Sequence, residues 1–386
     1  MNAHFLLGCA FAAAAAASAM GAAAGEDQTH RSAPAGSYGG IMNPDISAIV
    51  NTQILFTDDR GNERRGDLRI AEGELAFQSY LYPGIEGSLI IAMHEEHGEW
   101  RVHPEEAFAA FQDLPFGLQA TVGRRLIPFG RLNPTHPHHW KFPDQPLPHK
   151  NFFGAHPLYD DGAEVSWLVP NPWNVYGALS IGAWSGSSGS TGAHHHEDEE
   201  EQGHEHHAPA LDWRGRIYSG RARVDVSLGE LSNAGLGYSA VWDEARRTVL
   251  HGADLTAVYR RPGGYARIHW QSEIYYADIG GEAPQRPFGF FSTLSFAPDK
   301  YWEIGARYDR SEYVKPHGHE HDEEHETAWI SDEEWSASAF LSYYLTHSLY
   351  LRSSYRRIFD RREETEHRII LQLVWGLGPH AHRIEN

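Results

Sequence analysis

From residue 44 onward the chain alternates with period two, and no other feature constrains its fold as strongly. Arg221, Arg223, Asp225 and Ser227 interleave with Ala222, Val224, Val226 and Leu228. Arg267, His269, Gln271 and Glu273 interleave with Ala266, Ile268, Trp270, Ser272 and Ile274. Glu303, Arg307 and Asp309 interleave with Trp302, Ile304, Ala306 and Tyr308. Near the end, Ile369, Leu371, Leu373, Trp375 and Leu377 share one face. Successive strand side chains point to opposite faces, so each segment presents one face to an apolar medium and one to a polar medium. We mark about sixteen such segments, with 14 or 18 as the neighbouring even counts. They start near Ile46, Leu68, Ile85, His103, Leu118, Ala163, Trp173, Ile217, Asn233, Leu250, Tyr265, Phe288, Tyr301, Trp335, Leu349 and His367.

The connections decide what these strands build. After even-numbered segments they are short, as at Pro83-Gly84, Asn171-Pro172 and Arg261 to Gly264. After odd-numbered segments they are polar and often long: 59–66, 95–100, 130–162, 186–216, 244–249, 279–287, 315–334 and 361–366. Long loops at one end and tight turns at the other are the pattern of a bacterial outer-membrane barrel. Closure also pairs every backbone N–H and C=O, which a bilayer demands. Aromatics near strand ends suit interfacial girdles: Tyr80, Tyr82, Trp100, Trp173, Trp184, Tyr259, Tyr275, Tyr276, Tyr301, Trp302, Tyr343, Tyr344, Tyr355 and Trp375. A soluble β-sandwich would alternate too, but its loops would not segregate by length. The expected fold is all-β, a transmembrane antiparallel β-barrel with long His-rich extracellular loops.

Composition removes other classes. The 386 residues hold 32 Lys+Arg against 52 Asp+Glu, a formal charge of -20, so no basic footprint for nucleic acid exists. No internal run approaches the roughly 20 apolar residues of a spanning helix. The one cysteine, Cys9, excludes a disulfide scaffold and a Cys-based zinc site. Residues 1–24 read as a secretory signal peptide, with an apolar stretch from Phe5 to Ala19 before Ala22-Ala23-Ala24. Residues 25–42 read as a flexible lead-in, and 43–386 as the barrel with a polar tail. No G-x-S-x-G, H-E-x-x-H or phosphate-binding glycine loop occurs, so no enzyme is expected.

Two constellations carry chemistry. The first is histidine-rich. Residues 194–207 read HHHEDEEEQGHEHH, with His194, His195, His196, His204, His206 and His207. Residues 317–326 read HGHEHDEEHE, with His317, His319, His321 and His325. A third group is His136, His138 and His139, among prolines that favour an ordered loop. Neutral imidazole ligates zinc, copper and nickel, and carboxylates add charge and further ligands. Zn2+ leads as the expected ion and other divalent metals remain open. The bland reading is a solvated acidic loop for the two tracts, and structural histidines for the third group. The second constellation is the polar face: Glu72, Glu74, Arg125, Arg221, Arg223, Asp225, Arg267, His269, Glu273, Glu303, Arg307, Asp309, Arg352, Arg356 and Arg368. Burying these in an apolar core would be costly, so a water-lined lumen is expected. The alternative is that they pair across strands and close the pore. The connection 130–162 is the expected constriction.

Residues 123–170, with Gly123-Arg124, Phe129-Gly130-Arg131-Leu132-Asn133, His136, His138, Asp144, Pro146-Leu147, Phe153-Gly154, Leu158, Asp161-Gly162 and Ser166-Trp167-Leu168, resemble a family of Gram-negative porin-like proteins. Asn43-Pro44-Asp45-Ile46-Ser47 resembles that family's opening. The family is related to phosphate-selective porins, and some members are described as zinc-regulated outer-membrane receptors. The resemblance implies an outer-membrane location in a Gram-negative bacterium, a porin-like barrel, lipid as a partner and a link to divalent metal uptake. It also raises a homotrimer as the assembly. It names no metal ligands. Two departures stand out: the chain ends HRIEN rather than on an aromatic, and it is too short for a plug plus the about 22 strands of a TonB-dependent receptor. The expected function is a channel whose surface loops capture metal for passage inward. The rivals are a general or anion-selective porin, and a non-conducting metal-binding barrel.

Overall fold

The computed structural model describes residues 44–59, 65–96, 99–173, 175–186, 211, 213–280, 285–317, 328–360 and 365–379. They form sixteen antiparallel strands closed into a barrel in chain order, with β1 (Asp45–Thr57) pairing β16 (Glu366–Leu377) from Ala48↔Leu377 to Thr57↔Arg368. Between them run β2 (Leu68–Tyr82), β3 (Ile85–Glu96), β4 (Glu99–Leu114), β5 (Leu118–Leu126), β6 (Tyr159–Leu168), β7 (Tyr176–Trp184) and β8 (Ile217–Ser227). Then follow β9 (Ser232–Asp243), β10 (Thr248–Arg260), β11 (Arg267–Ile279), β12 (Phe288–Ala297), β13 (Trp302–His317), β14 (Ala328–Thr346) and β15 (Leu349–Asp360).

The alternation becomes an inside and an outside. In β13, Glu303, Arg307 and Asp309 are buried while Ile304 and Tyr308 are exposed. In β16, Ile369 and Leu371 are exposed while Gln372 is buried. Around the wall, Leu179, Ile181, Ile268, Leu294, Ile304, Leu341 and Leu351 continue this exposed apolar surface. A surface so apolar is expensive in water and at home in lipid.

Most strand starts fall where the alternation puts them. β14 is the largest exception: it starts at Ala328, not near Trp335, because it extends outward to pair with β13 as far as His317↔Ala328. Nor is the β3–β4 connection a loop from 95 to 100, because pairing continues to Glu96↔Glu99. Three expected girdle aromatics lie inside. Trp184 and Tyr275 are buried, and the Tyr344 hydroxyl donates to Glu303 Oε2 at 3.0 Å. Tyr275 is in phase with Gln271 and Glu273, so the pleat turns it inward.

One connection folds into the barrel. Residues 127–158 leave β5, cross the lumen through a 3₁₀ turn at Pro137–His139 and helix α1 (Leu147–Phe153), and return to β6. Asn133 ties the neck. Its amide donates to the carbonyls of Ile127 (2.7 Å) and Leu158 (2.9 Å), and its Oδ1 accepts the Leu158 N–H (2.7 Å). Phe129, Trp140, Phe142, Phe152 and Phe153 pack from this segment against Tyr275, Phe291, Val241, Leu250 and Phe340 of the wall. Aromatic burial of this kind makes the segment part of the barrel's packing.

Candidate functional site

The infolded segment carries charged and polar side chains that meet complementary groups on three sectors of the wall. The first sector is β8 to β11. Gly130 adopts φ 60 and brings the backbone against Glu273, whose Oε1 accepts the N–H groups of Arg131 (3.0 Å) and Leu132 (2.8 Å). The Arg131 guanidinium then bonds Asp254 (3.0 Å) and Asp225. Arg221 supports Asp254 at 2.7 Å, and Arg223 supports Asp225 at 2.5 Å.

The second sector is β13 to β15. Asp144 Oδ2 accepts from Arg307 (2.9 Å) and from Arg356, and both arginines also bind Asp309. Burial alone would raise the Asp144 carboxyl, but the two guanidiniums outweigh it and hold it at about 2. Phe142 lies 4.2 Å below the Arg307 guanidinium. Nearby, Lys141 reaches Glu303 at 3.4 Å. Burial lowers the Lys141 ammonium further than Glu303 raises it. Within α1, His149 is fully buried against Trp140 and Phe153, and burial pushes it down to about 3, so it is neutral.

The third sector is β2 to β4, and it differs in chemistry. His136 Nδ1 lies 3.2 Å from Glu74 Oε2 and 3.3 Å from Glu105 Oε2, while its Nε2 lies 3.3 Å from Glu106 Oε2. His138 Nδ1 lies 3.7 Å from both Glu72 Oε2 and Glu74 Oε2. Glu74, Glu105, Glu106, His136 and His138 are all at most 9% exposed. Burial alone would lower the His136 pKa, but the charges of Glu105 and Glu74 and the contacts with Glu105 and Glu106 hold it well above its ordinary value.

Two bulges build this sector. In β2 the register against β1 slips between Asn51↔Glu72 and Thr52↔Ile70. In β4 it slips between Ile90↔Glu106 and Ile91↔Pro104, leaving Glu105 unpaired. A bulge aims two consecutive side chains to one face. That is why Glu105 and Glu106 both point inward, where strict alternation sends one to lipid. Neither was on the sequence-derived polar face, although Glu72 and Glu74 were; the bulge accounts for one of the two. Two other contributors, Asp144 and Asp254, were also absent from that polar face; Asp144 was marked only as part of the family resemblance. A further group missed by sequence is His94, His103 and His156, whose ring centroids lie 4.9 to 6.1 Å apart.

All fifteen charged and histidine residues of the expected polar face lie within the described strands, and none is exposed. Arg125 pairs with Glu164, Arg267 approaches Glu303 at 3.9 Å, Arg352 bonds Ser342 and Gln372, and Arg368 bonds Glu366. His269 lies on that face beside them, half-buried. The His139 ring lies 4.4 Å from that of His138, tilted by 57°, but stands outside the carboxylate cluster. His194, His195, His196, His204, His206, His207, His319, His321 and His325 lie outside the described residues, as do 1–24 and 25–42. His317 ends β13, and only its backbone is described.

No family model matches the chain. It is 28% identical over 275 residues to an uncharacterised protein of Aquifex aeolicus (strain VF5), an alignment covering 64% of this chain and 55% of that protein. The chain thus spans about half the length of the curated relative it matches. Among solved structures, the anion-selective porin of Comamonas acidovorans superposes with a TM-score of 0.55 at 11% identity, over 87% of this chain and 99% of that one. OmpT of Vibrio cholerae, with loop L8 deleted, gives 0.53 at 8% identity, over 87% and 99%. The DcaP channel of Acinetobacter baumannii gives 0.51 at 8% identity, over 86% and 96%. A closed sixteen-strand barrel with an apolar exterior, built on the fold of outer-membrane porins, is a protein of the Gram-negative outer membrane.

Proposed function

We propose that the chain is a diffusion channel narrowed by the infolded segment 127–158, and that the histidine-glutamate tracts of its surface loops concentrate divalent metal, zinc first, at its mouth. The observation that carries the channel reading is the charged inward face of the barrel beneath an apolar exterior. Charged groups are retained inside a barrel at least cost where water reaches the lumen. Transport is passive. An acidic, imidazole-bearing rim raises local cation concentration and the gradient does the rest.

A second reading draws on a specific feature. A cavity of about 360 Å³ at the short-turn end is lined by Arg260, Arg267 and Lys300, with Asp299 and Glu303 beside them. Basic groups at that mouth favour anions, as the name of the Comamonas porin says of that protein. A homotrimer is the assembly proposed with either reading; one OmpT structure is described as a trimer form.

Zinc flux into liposomes holding the purified barrel tests the proposal, with wild type compared to a variant lacking 194–207 and 317–326. Slower uptake by the variant at low zinc alone supports capture and passage. Equal uptake makes the tracts irrelevant. No flux from either removes the channel reading, and an anion-selective reversal potential installs the second one.

A further inference from the structure

We propose that Glu74, Glu105, Glu106 and His136, flanked by Glu72 and His138, form a binding site for one divalent first-row transition cation, which fastens the infolded segment to β2 and β4. The site is independent of the surface tracts and of whether the channel conducts.

The geometry is that of a coordination shell. The Nδ1 of His136 and the facing oxygens of Glu74 and Glu105 all lie within 4.8 Å of one another, and so do the donors of Glu72, Glu74 and His138. Ligands held about 2.0–2.2 Å from an ion are about 3.0–3.5 Å from each other in tetrahedral or octahedral arrangement. The observed 3.2 and 3.3 Å from His136 to Glu74 and Glu105 match that spacing. These contacts are not good hydrogen bonds. Glu105 Oε2 and His136 Nδ1 are buried, and neither has a hydrogen-bond partner among the described residues. The donor groups of β2, of β4 and of the start of the 3₁₀ turn thus face one another across a short gap.

Charge gives a second reason. The cluster gathers four carboxylates, and an imidazole that ligates an ion is neutral and offsets none of them. Buried carboxylates are costly unless compensated, and a divalent ion supplies the missing charge. The donor set decides the class. Imidazole with carboxylate suits zinc, manganese, iron(II) or cobalt, whereas calcium and magnesium prefer all-oxygen shells. The expected ligands come from three elements, β2, β4 and the infolded segment, so the ion would join wall to segment where the other two sectors use ion pairs.

The test uses the full barrel lacking 194–207 and 317–326, so that the tracts contribute nothing. After chelator treatment it is titrated with Zn2+, and bound zinc is counted against folded protein, judged by heat-modifiable migration. We expect one zinc per chain, and an X-ray absorption shell of nitrogen and oxygen near 2.0–2.2 Å. Glu105→Gln and His136→Gln should each weaken binding at least about tenfold while leaving the barrel folded. Should His136→Gln fail to fold, Glu105→Gln carries the comparison, because its shape is unchanged. The proposal is overturned if the tract-free barrel binds no stoichiometric zinc, if Glu105→Gln binds as tightly as its parent, or if a large excess of Ca2+ displaces the ion. Conductance plays no part in this readout, so failure of the channel reading would show separately.

Discussion

Asp144 meets both Arg307 and Arg356 through one carboxylate oxygen, and all three groups are largely buried. Removing the charge leaves two guanidiniums short of a partner, which for a buried pair costs about 3–5 kcal/mol. Asp144→Asn should therefore loosen the infolded segment while the wall persists, seen as higher and noisier single-channel current. The pH dependence has a fixed sign. The Asp144 pKa falls from 3.8 to about 2 on folding, so its contribution is complete above about pH 4 and disappears as pH falls toward 2. That contribution is on the order of 2 kcal/mol. The current difference between wild type and Asp144→Asn should hold from pH 7 to about 4 and vanish near 2. A difference that persists at pH 2 would show that the anchor works through packing.

At the scale of the element, the infolded segment depends on its neck and its first turn. Gly130 has φ 60, and a Cβ there would stand 2.2 Å from Glu273 Oε2. Gly130→Ala should cost about 1–3 kcal/mol in backbone strain and also dislodge Glu273 from the Arg131 and Leu132 N–H groups. Asn133→Ala removes three hydrogen bonds at the neck and leaves the Leu158 N–H without its acceptor, for about 1–3 kcal/mol. Both variants should speed limited proteolysis within 127–158 without changing heat-modifiable migration. If cleavage is unaltered, the aromatic packing of α1 alone holds the segment.

For the whole molecule, closure and lipid exposure set stability. Ile181 projects from the middle of β7 and is 69% exposed. Ile181→Arg should destabilise the barrel by about 2–4 kcal/mol in bilayers if it lies near the midplane, and much less in mild detergent. Urea unfolding in vesicles checks this. Equal stability in both media would show that this face does not meet lipid.

The barrel was legible in residues such as Ile268, Trp270 and Ile274, because a strand's two faces meet two solvents and the pleat writes that difference into every second residue. The placement of the long connections was legible too, since a meander puts odd and even connections at opposite ends. Tyr275 could have been placed inward from its phase with Glu273. Other features belong to the tertiary structure alone. A bulge adds one residue that alternation cannot reveal, so the pairing of Glu105 with Glu106 on one face was hidden until β3 and β4 were in register. The partners of Asp144, His136 and Arg131 lie on strands far away in the chain. Local sequence determines which face of a strand is polar, and only closure of the wall around the infolded segment decides which charges meet across it.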